Sequence, residues 1–232
     1  MIPLRDDNPT TIPPIVTVAF IVACVLVFLW QVSQGADGFG RILYSLGVVP
    51  IALLSEAQLP PELVLVPEKL TVLTSMFLHG SWMHLIGNML YLWIFGNNVE
   101  DSMGHRRFTA FYLLSGIAAA LAQALANPSS EVPMTGASGA ISGVLGAYLL
   151  LYPRAQVLVL LPMGMFSQTI HLPALWVLGF WFVFQILNSA TMGEAQSGVA
   201  WLAHIGGFIA GMALIPFFKY RHVPFFHRPH RY

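Results

Sequence analysis

Charge is what this sequence has least of. Asp, Glu, Lys and Arg make up 9% of its 232 residues, against 56% hydrophobic ones. A soluble domain carries roughly 25% charged residues. With a mean hydropathy of +0.71, the chain cannot cover itself with a water-compatible surface, so its class is a polytopic membrane protein. Cysteine is almost missing: Cys24 stands alone. That excludes a disulfide within the chain and a cysteine metal site. Cys24 lies in an apolar run and is read as a small core or lipid-facing residue. There is no His-Glu-x-x-His zinc pattern. No small-residue cleavage site closely follows the first apolar run, so that run is read as a retained helix rather than a signal peptide.

The charges that do occur mark out the spans. Six charge-free runs reach 20 residues: 8–36, 70–99, 108–130, 132–153, 155–193 and 195–218. A spanning helix needs about 20 mostly apolar residues. The run 155–193 is long enough for two spans. Its first half holds Pro162, Gly164, Gln168, His171 and Pro173, and broken backbone in lipid leaves polar groups unpaired. That half is expected to be a turn or hairpin at the interface. Six helices follow, at roughly 13–32, 82–101, 107–126, 137–152, 173–188 and 199–219. The fold class is all-α, with a segment 1–12, a six-helix membrane domain 13–219 and a tail 220–232. The external loop, about 33–81, is too long to be structureless and is expected to hold short helices.

Six spans put both termini on one side. That side carries Arg5, Arg106, Arg107, Arg154, Lys219, Arg221, Arg228 and Arg231; the other has Arg41 and Lys69. Positive charge stays cytoplasmic, so both termini are expected to be cytoplasmic. The second, fourth and sixth helices then descend from outside.

Few polar groups fall inside the spans, and polar groups at membrane depth are functional candidates. His84 and Asn88 share a face of the second helix at i and i+4. Ser138 opens the fourth within Gly136-Ala-Ser-Gly139. His204 lies in the sixth. All four fall in the first turns of helices running the same way, roughly within 10 Å of the outer surface at about 1.5 Å per residue. Gly139 and Gly143, and likewise Gly207 and Gly211, form small-xxx-small pairs that allow close helix approach. A serine becomes a nucleophile when a neighbouring base takes its proton, and His204 is the natural base. His84, Asn88 and the Ser138 N–H are candidate oxyanion donors. No Asp or Glu lies in the interior of a span, and Glu100 and Asp101 end the second helix on the far side, so this is a dyad without a carboxylate. Each feature also has a packing explanation: glycines beside a serine pack helices, and His84 with Asn88 forms an interhelical hydrogen-bond pair. Their placement at one depth favours chemistry.

At these residues the chain resembles the rhomboid intramembrane serine proteases, in their bacterial six-helix core form. The matching pattern is His84-x-x-x-Asn88, Gly136-Ala-Ser138-Gly139 and Ala203-His204-Ile-Gly-Gly207, with Phe95-Gly-Asn-Asn-Val-Glu100 between. The resemblance implies Ser138 as nucleophile, His204 as general base, and His84 and Asn88 at the oxyanion. It implies cleavage of transmembrane protein substrates near the outer face, in contact with membrane lipid and without cofactor, metal or nucleic acid. A bacterial inner (plasma) membrane is the expected location. Substrate is expected to enter beside Phe180–Phe184 and the segment 189–198. The chain departs from parts of the family in two places: Ser142 stands where some members carry a tyrosine that stacks on the histidine, and the external loop lacks a Trp-Arg pair present in several. The alternative is a catalytically silent rhomboid-like protein that binds or escorts membrane segments. The intact Ser138 and His204 favour the enzyme.

Overall fold

The computed structural model describes residues 1–55, 57–163, 166–191 and 199–227. It is mostly helical. Four helices are long and apolar enough to cross a membrane: α1 (Ile15–Ser33), α6 (His105–Ala126), α8 (Ala174–Thr191) and α9 (Trp201–Phe218). Between α1 and α6 stand α2 (Gly35–Leu46), α3 (Pro50–Leu54), α4 (Glu68–Thr74) and α5 (Trp82–Met103). The last of these has the length of a span, with Asn97, Asn98, Glu100 and Asp101 near its end. The central helix, α7 (Ser138–Leu151), has 14 residues. It is buried continuously from Gly139 to Tyr148.

Side-chain contacts fix the helix directions. His84 lies beside Gly136, and Phe95 beside Tyr148, so α5 and α7 run parallel. Gly207 faces Gly139 and Gly211 faces Gly143, so α9 runs parallel to both. Helix α6 opposes them, with Phe111 against Phe218 and Gln123 against Ala203. Helix α1 opposes α5, with Gln31 at His79 and Thr17 at Glu100. Helix α8 opposes α9 and ends near its start, since Phe184 meets Trp201 and Phe182 stacks on Phe208. One end of the bundle thus collects the starts of α5, α7 and α9.

The glycines make the α7–α9 contact. A Cβ on Gly207 would overlap the carbonyl oxygen of Gly139, and one on Gly211 that of Gly143. Such close backbone approach maximises dispersion where lipid offers no hydrophobic driving force.

The opposite end is held by a different device. Pro13 and Pro14 lead into α1, which has no side-chain N-cap of its own. Its free N–H groups at Val16 and Thr17 donate to Glu100 at 2.9 and 2.8 Å, and Thr17 Oγ1 donates at 2.7 Å. Asp101 accepts from Thr11 and Ile12 N–H at 3.1 and 2.9 Å. A carboxylate at a helix start satisfies orphan donors and suits the dipole.

One part of the all-α expectation fails. Strands β1 (Ile2–Asp6), β2 (Gln156–Met163) and β3 (Phe166–Pro173) form an antiparallel sheet in that order. The stretch expected as a turn or hairpin is the hairpin β2–β3, with Leu158 opposite His171. The terminal segment 1–12 supplies the third strand, with Asp6 opposite Val157. Val157 and Val159 alternate inward and are fully buried, as period-two patterning requires. Pro3 lies on an edge strand, where its missing N–H is tolerated. Asp6 accepts from Tyr148 Oη at 2.5 Å, tying the sheet to the foot of α7.

Burial raises the Asp6 carboxyl from 3.8 to about 6, although the Tyr148 hydrogen bond pulls the other way. The folded state therefore holds this proton more tightly than the unfolded one. Its stabilising effect is full below pH 3.8 and is lost as pH rises through about 6. Amide exchange in β1 should accordingly be slower at pH 5 than at pH 8 after correction for intrinsic rates. Asp6→Asn should flatten that difference. A second expectation concerns Gly207→Ala, which should lower the detergent-solubilised Tm by a destabilisation of about 1–3 kcal/mol through overpacking. Gly179→Ala, whose added Cβ meets nothing within 4 Å, is the control and should melt like the parent.

Candidate active site

The start of α5 is set by Ser81. Its hydroxyl accepts the His84 N–H at 3.2 Å as an N-cap. That cap puts His84 in the first turn and Asn88 one turn further on the same face. The chain before α7 is drawn in by Gly136, whose N–H donates to Ser75 O at 2.9 Å. Gly136 has φ +125°, and a Cβ there would press on His84 Nε2 at 2.7 Å and approach Asn88 Nδ2 at 3.6 Å. Only glycine fits both the backbone and the space. Ser138 follows as the first residue of α7. The first N–H of that helix to find a backbone acceptor is Ile141, at Ala137 O, so the N–H groups before it lack intrahelical partners.

Across the glycine seam, His204 Nε2 lies 2.9 Å from Ser138 Oγ. The four residues singled out by sequence are therefore drawn into one neighbourhood: Ser138 touches His204, while His84 and Asn88 flank the Gly136 turn that leads to Ser138. The Asn88 side chain is buried, and its Nδ2 has no hydrogen-bond partner among the described residues. Buried donors are normally paired. This unpaired donor lies beside the Gly136 turn that leads to Ser138. The Gly80 N–H approaches His84 Nδ1 at a long 3.5 Å, and Nε2 faces Gly136. His79 packs behind, its ring 5.1 Å from that of His84. A small pocket of about 30 Å³ opens beside Ser138, lined by Met76, Ala119, Met134, Gly139 and Ala203.

Several residues that sequence reasoning passed over also converge here. Gln185 of α8 lies with its Oε1 2.8 Å from His204 Nδ1. Trp181 and Trp201 flank the same imidazole, with centroids at 5.9 and 6.2 Å. Gln123 of α6 accepts the Ala203 N–H at 3.1 Å, pinning the start of α9 from outside that helix. Ser142 donates to Ser138 O at 2.6 Å and serves α7 itself. The signal for Gln185 was visible as a buried-type amide in an otherwise apolar run, but counting charges skips it. Phe180 and Phe184, expected beside the substrate path, are exposed on α8. The rest of that expectation, residues 192–198, lies outside the described residues, as do Arg228 and Arg231.

Comparison with known sequences gives the family. Residues 67–221 match the family model of the Rhomboid domain, which is more than half of the chain. The chain belongs to the rhomboid family. It is 32% identical over 198 residues to the rhomboid protease GluP of Bacillus subtilis, covering 85% of this chain and 34% of that protein. It is also 32% identical over 156 residues to the mitochondrial rhomboid protein 1 of Saccharomyces cerevisiae, covering 63% of this chain and 41% of the other. The chain thus spans less than half the length of these relatives. As a rhomboid it is an integral, multi-pass membrane protein of a protease family.

Proposed function

We propose that this rhomboid is an intramembrane serine endopeptidase that cleaves transmembrane protein substrates near the outer membrane face. The observation that carries the proposal is the 2.9 Å contact between Ser138 Oγ and His204 Nε2, made where two parallel helices touch. Ser138 gives its proton to His204 Nε2 as its oxygen attacks the scissile carbonyl. The carbonyl oxygen becomes an oxyanion, received by Asn88 Nδ2, His84 Nε2–H and the free N–H groups at the start of α7. His204 then returns the proton to the leaving amine as the C–N bond breaks. Water hydrolyses the acyl-serine by the reverse proton path. The small pocket beside Ser138 suits a small apolar substrate side chain.

The setting supports cleavage within the membrane. Helix α7, with its 14 residues, is about 21 Å long at 1.5 Å per residue. The hydrocarbon core is about 30 Å thick. One end of α7 therefore stops short of the surface, and the irregular backbone before it is tolerable only where protein or a water-filled cavity surrounds it. With α5 and α7 added to the four long apolar helices, six elements cross. The basic residues Arg5, Arg106, Arg107, Arg154, Lys219 and Arg221 gather at the end opposite the site. By the positive-inside rule both termini are cytoplasmic and the site lies towards the outside.

Purified protein should cleave a reporter transmembrane substrate in detergent and label with a fluorophosphonate. Ser138→Ala and His204→Ala should each lower the rate by at least about 10³-fold, and equal cleavage by all three proteins would sink the assignment. Asn88→Ala should cost less, about 10- to 100-fold in kcat, because other oxyanion donors remain. A loss as deep as that of Ser138→Ala would mean Asn88 does more than share the oxyanion.

A further inference from the structure

The Ser138–His204 pair leaves one question, which is what aims the imidazole. No carboxylate lies near it among the described hydrogen bonds, and Ser142 is engaged with its own helix. The second ring nitrogen of His204 faces Gln185, on a different helix.

Two hydrogen bonds fix how this amide is turned. Gln185 Nε2 lies 3.2 Å from Trp181 O. A carbonyl oxygen only accepts, so the NH₂ end must face it. The other end, Oε1, then faces His204 Nδ1 at 2.8 Å. An amide oxygen also only accepts, so Nδ1 must carry the hydrogen. A neutral imidazole has one N–H, which leaves the Nε2 lone pair directed at Ser138 Oγ at 2.9 Å. Gln185 is 3% exposed, so water does not compete for its amide. Turning the amide over would set two carbonyl oxygens against each other at Trp181.

We propose that Gln185 is the positioning residue of this site, holding His204 in the Nδ1–H tautomer that leaves Nε2 to act as base. The inference rests on the Ser138–His204 reading of the function. The arrangement is a serine-histidine-amide relay, in which the amide orients the ring as a third group does in hydrolytic triads. Trp181 and Trp201 bound the ring by shape, but neither makes the polar contact at Nδ1. Because Gln185 comes from α8, the aim of His204 depends on how α8 is seated. That helix buries only Ala174, Val177, Leu178, Gln185 and Asn188, so a shift of α8 away from α9 would release the base.

The test uses Gln185→Leu, Gln185→Met and Gln185→Glu in the full chain. Leu and Met remove the acceptor, and Glu restores an oxygen at the same reach. Gln185→Leu should lower kcat about 10- to 100-fold with KM within about 2-fold, and slow fluorophosphonate labelling of Ser138 in parallel. Gln185→Glu should recover only part of the loss, because it restores an acceptor at Nδ1 but sets a second oxygen against Trp181 O unless that oxygen is protonated. Should Gln185→Leu melt early, Gln185→Met carries the same comparison. A second readout needs no activity: ¹⁵N NMR of histidine-labelled Ser138→Ala protein should show His204 as the Nδ1–H tautomer. Adding Gln185→Leu should mix the tautomers. Wild-type kcat in both Leu and Met variants, a change confined to KM, or an unchanged tautomer would overturn the proposal. If the parent neither cleaves nor labels while the tautomer still depends on Gln185, the proteolytic reading fails and the positioning role stands.

Discussion

A side chain larger than hydrogen at Gly207 or Gly211 would collide with a carbonyl oxygen of α7. That steric limit sets the distance between two helix axes, and the axis distance sets whether a serine on one can touch a histidine on the other. Side chains reach only a few ångströms, and a hydrogen bond tolerates a few tenths. The remaining helices then serve this contact. Helix α6 packs small residues against both, with Ala119 facing Gly139 and Gly207, and Ser115 facing Gly143. Its Gln123 holds the first turn of α9.

Glu100 and Asn88, at opposite ends of the bundle, are partnered in opposite ways, although Asn98 Oδ1 at the foot also lacks a partner among the described residues. At the foot, a fully buried carboxylate, Glu100, is saturated: two backbone N–H groups, a threonine hydroxyl and the His105 ring at 2.6 Å. Removing a charge from water costs several kcal/mol, and this set of partners offsets it. At the head, Asn88 Nδ2 and the first N–H groups of α7 have no such partners among the described residues. Evenly built structure would pair them. Glu100 has the full set of partners of a structural anchor, and the unpaired Asn88 donor fits the oxyanion role proposed for it. Both ends contain Asn, His and helix termini, so residue type alone does not distinguish them.

Most of the helical plan was legible because lipid makes charge placement nearly digital. A charge inside a span costs kilocalories, so gaps between charges locate helices directly. The convergence of His84, Asn88, Ser138 and His204 followed from helix direction and rise alone. What the gaps hide is any structure that is neutral. The strand Gln156–Met163 carries apolar residues on both faces, so its period-two signal is weak beside its hydropathy. Its partner at Ile2–Asp6 lies some 150 positions away, a pairing no local pattern reveals. Gln185 escaped for the same reason: an amide is strongly polar yet invisible to a count of Asp, Glu, Lys and Arg.

The neutrality of Gln185 is itself a consequence of its surroundings. A carboxylate at His204 would polarise the imidazole more strongly, as the third member of a hydrolytic triad does. Among apolar neighbours on a helix buried along one face, that charge would have to be desolvated at a cost of several kcal/mol. It would lack the backbone donors that serve Glu100 at the foot of the bundle. An amide carries a dipole of fixed direction and no net charge, so it aims the ring at far lower desolvation cost. It also needs a partner for its own NH₂. Trp181 O, one turn back on the same helix, provides that partner. The same medium that excludes charge from the spans thus favours an amide over an acid beside His204.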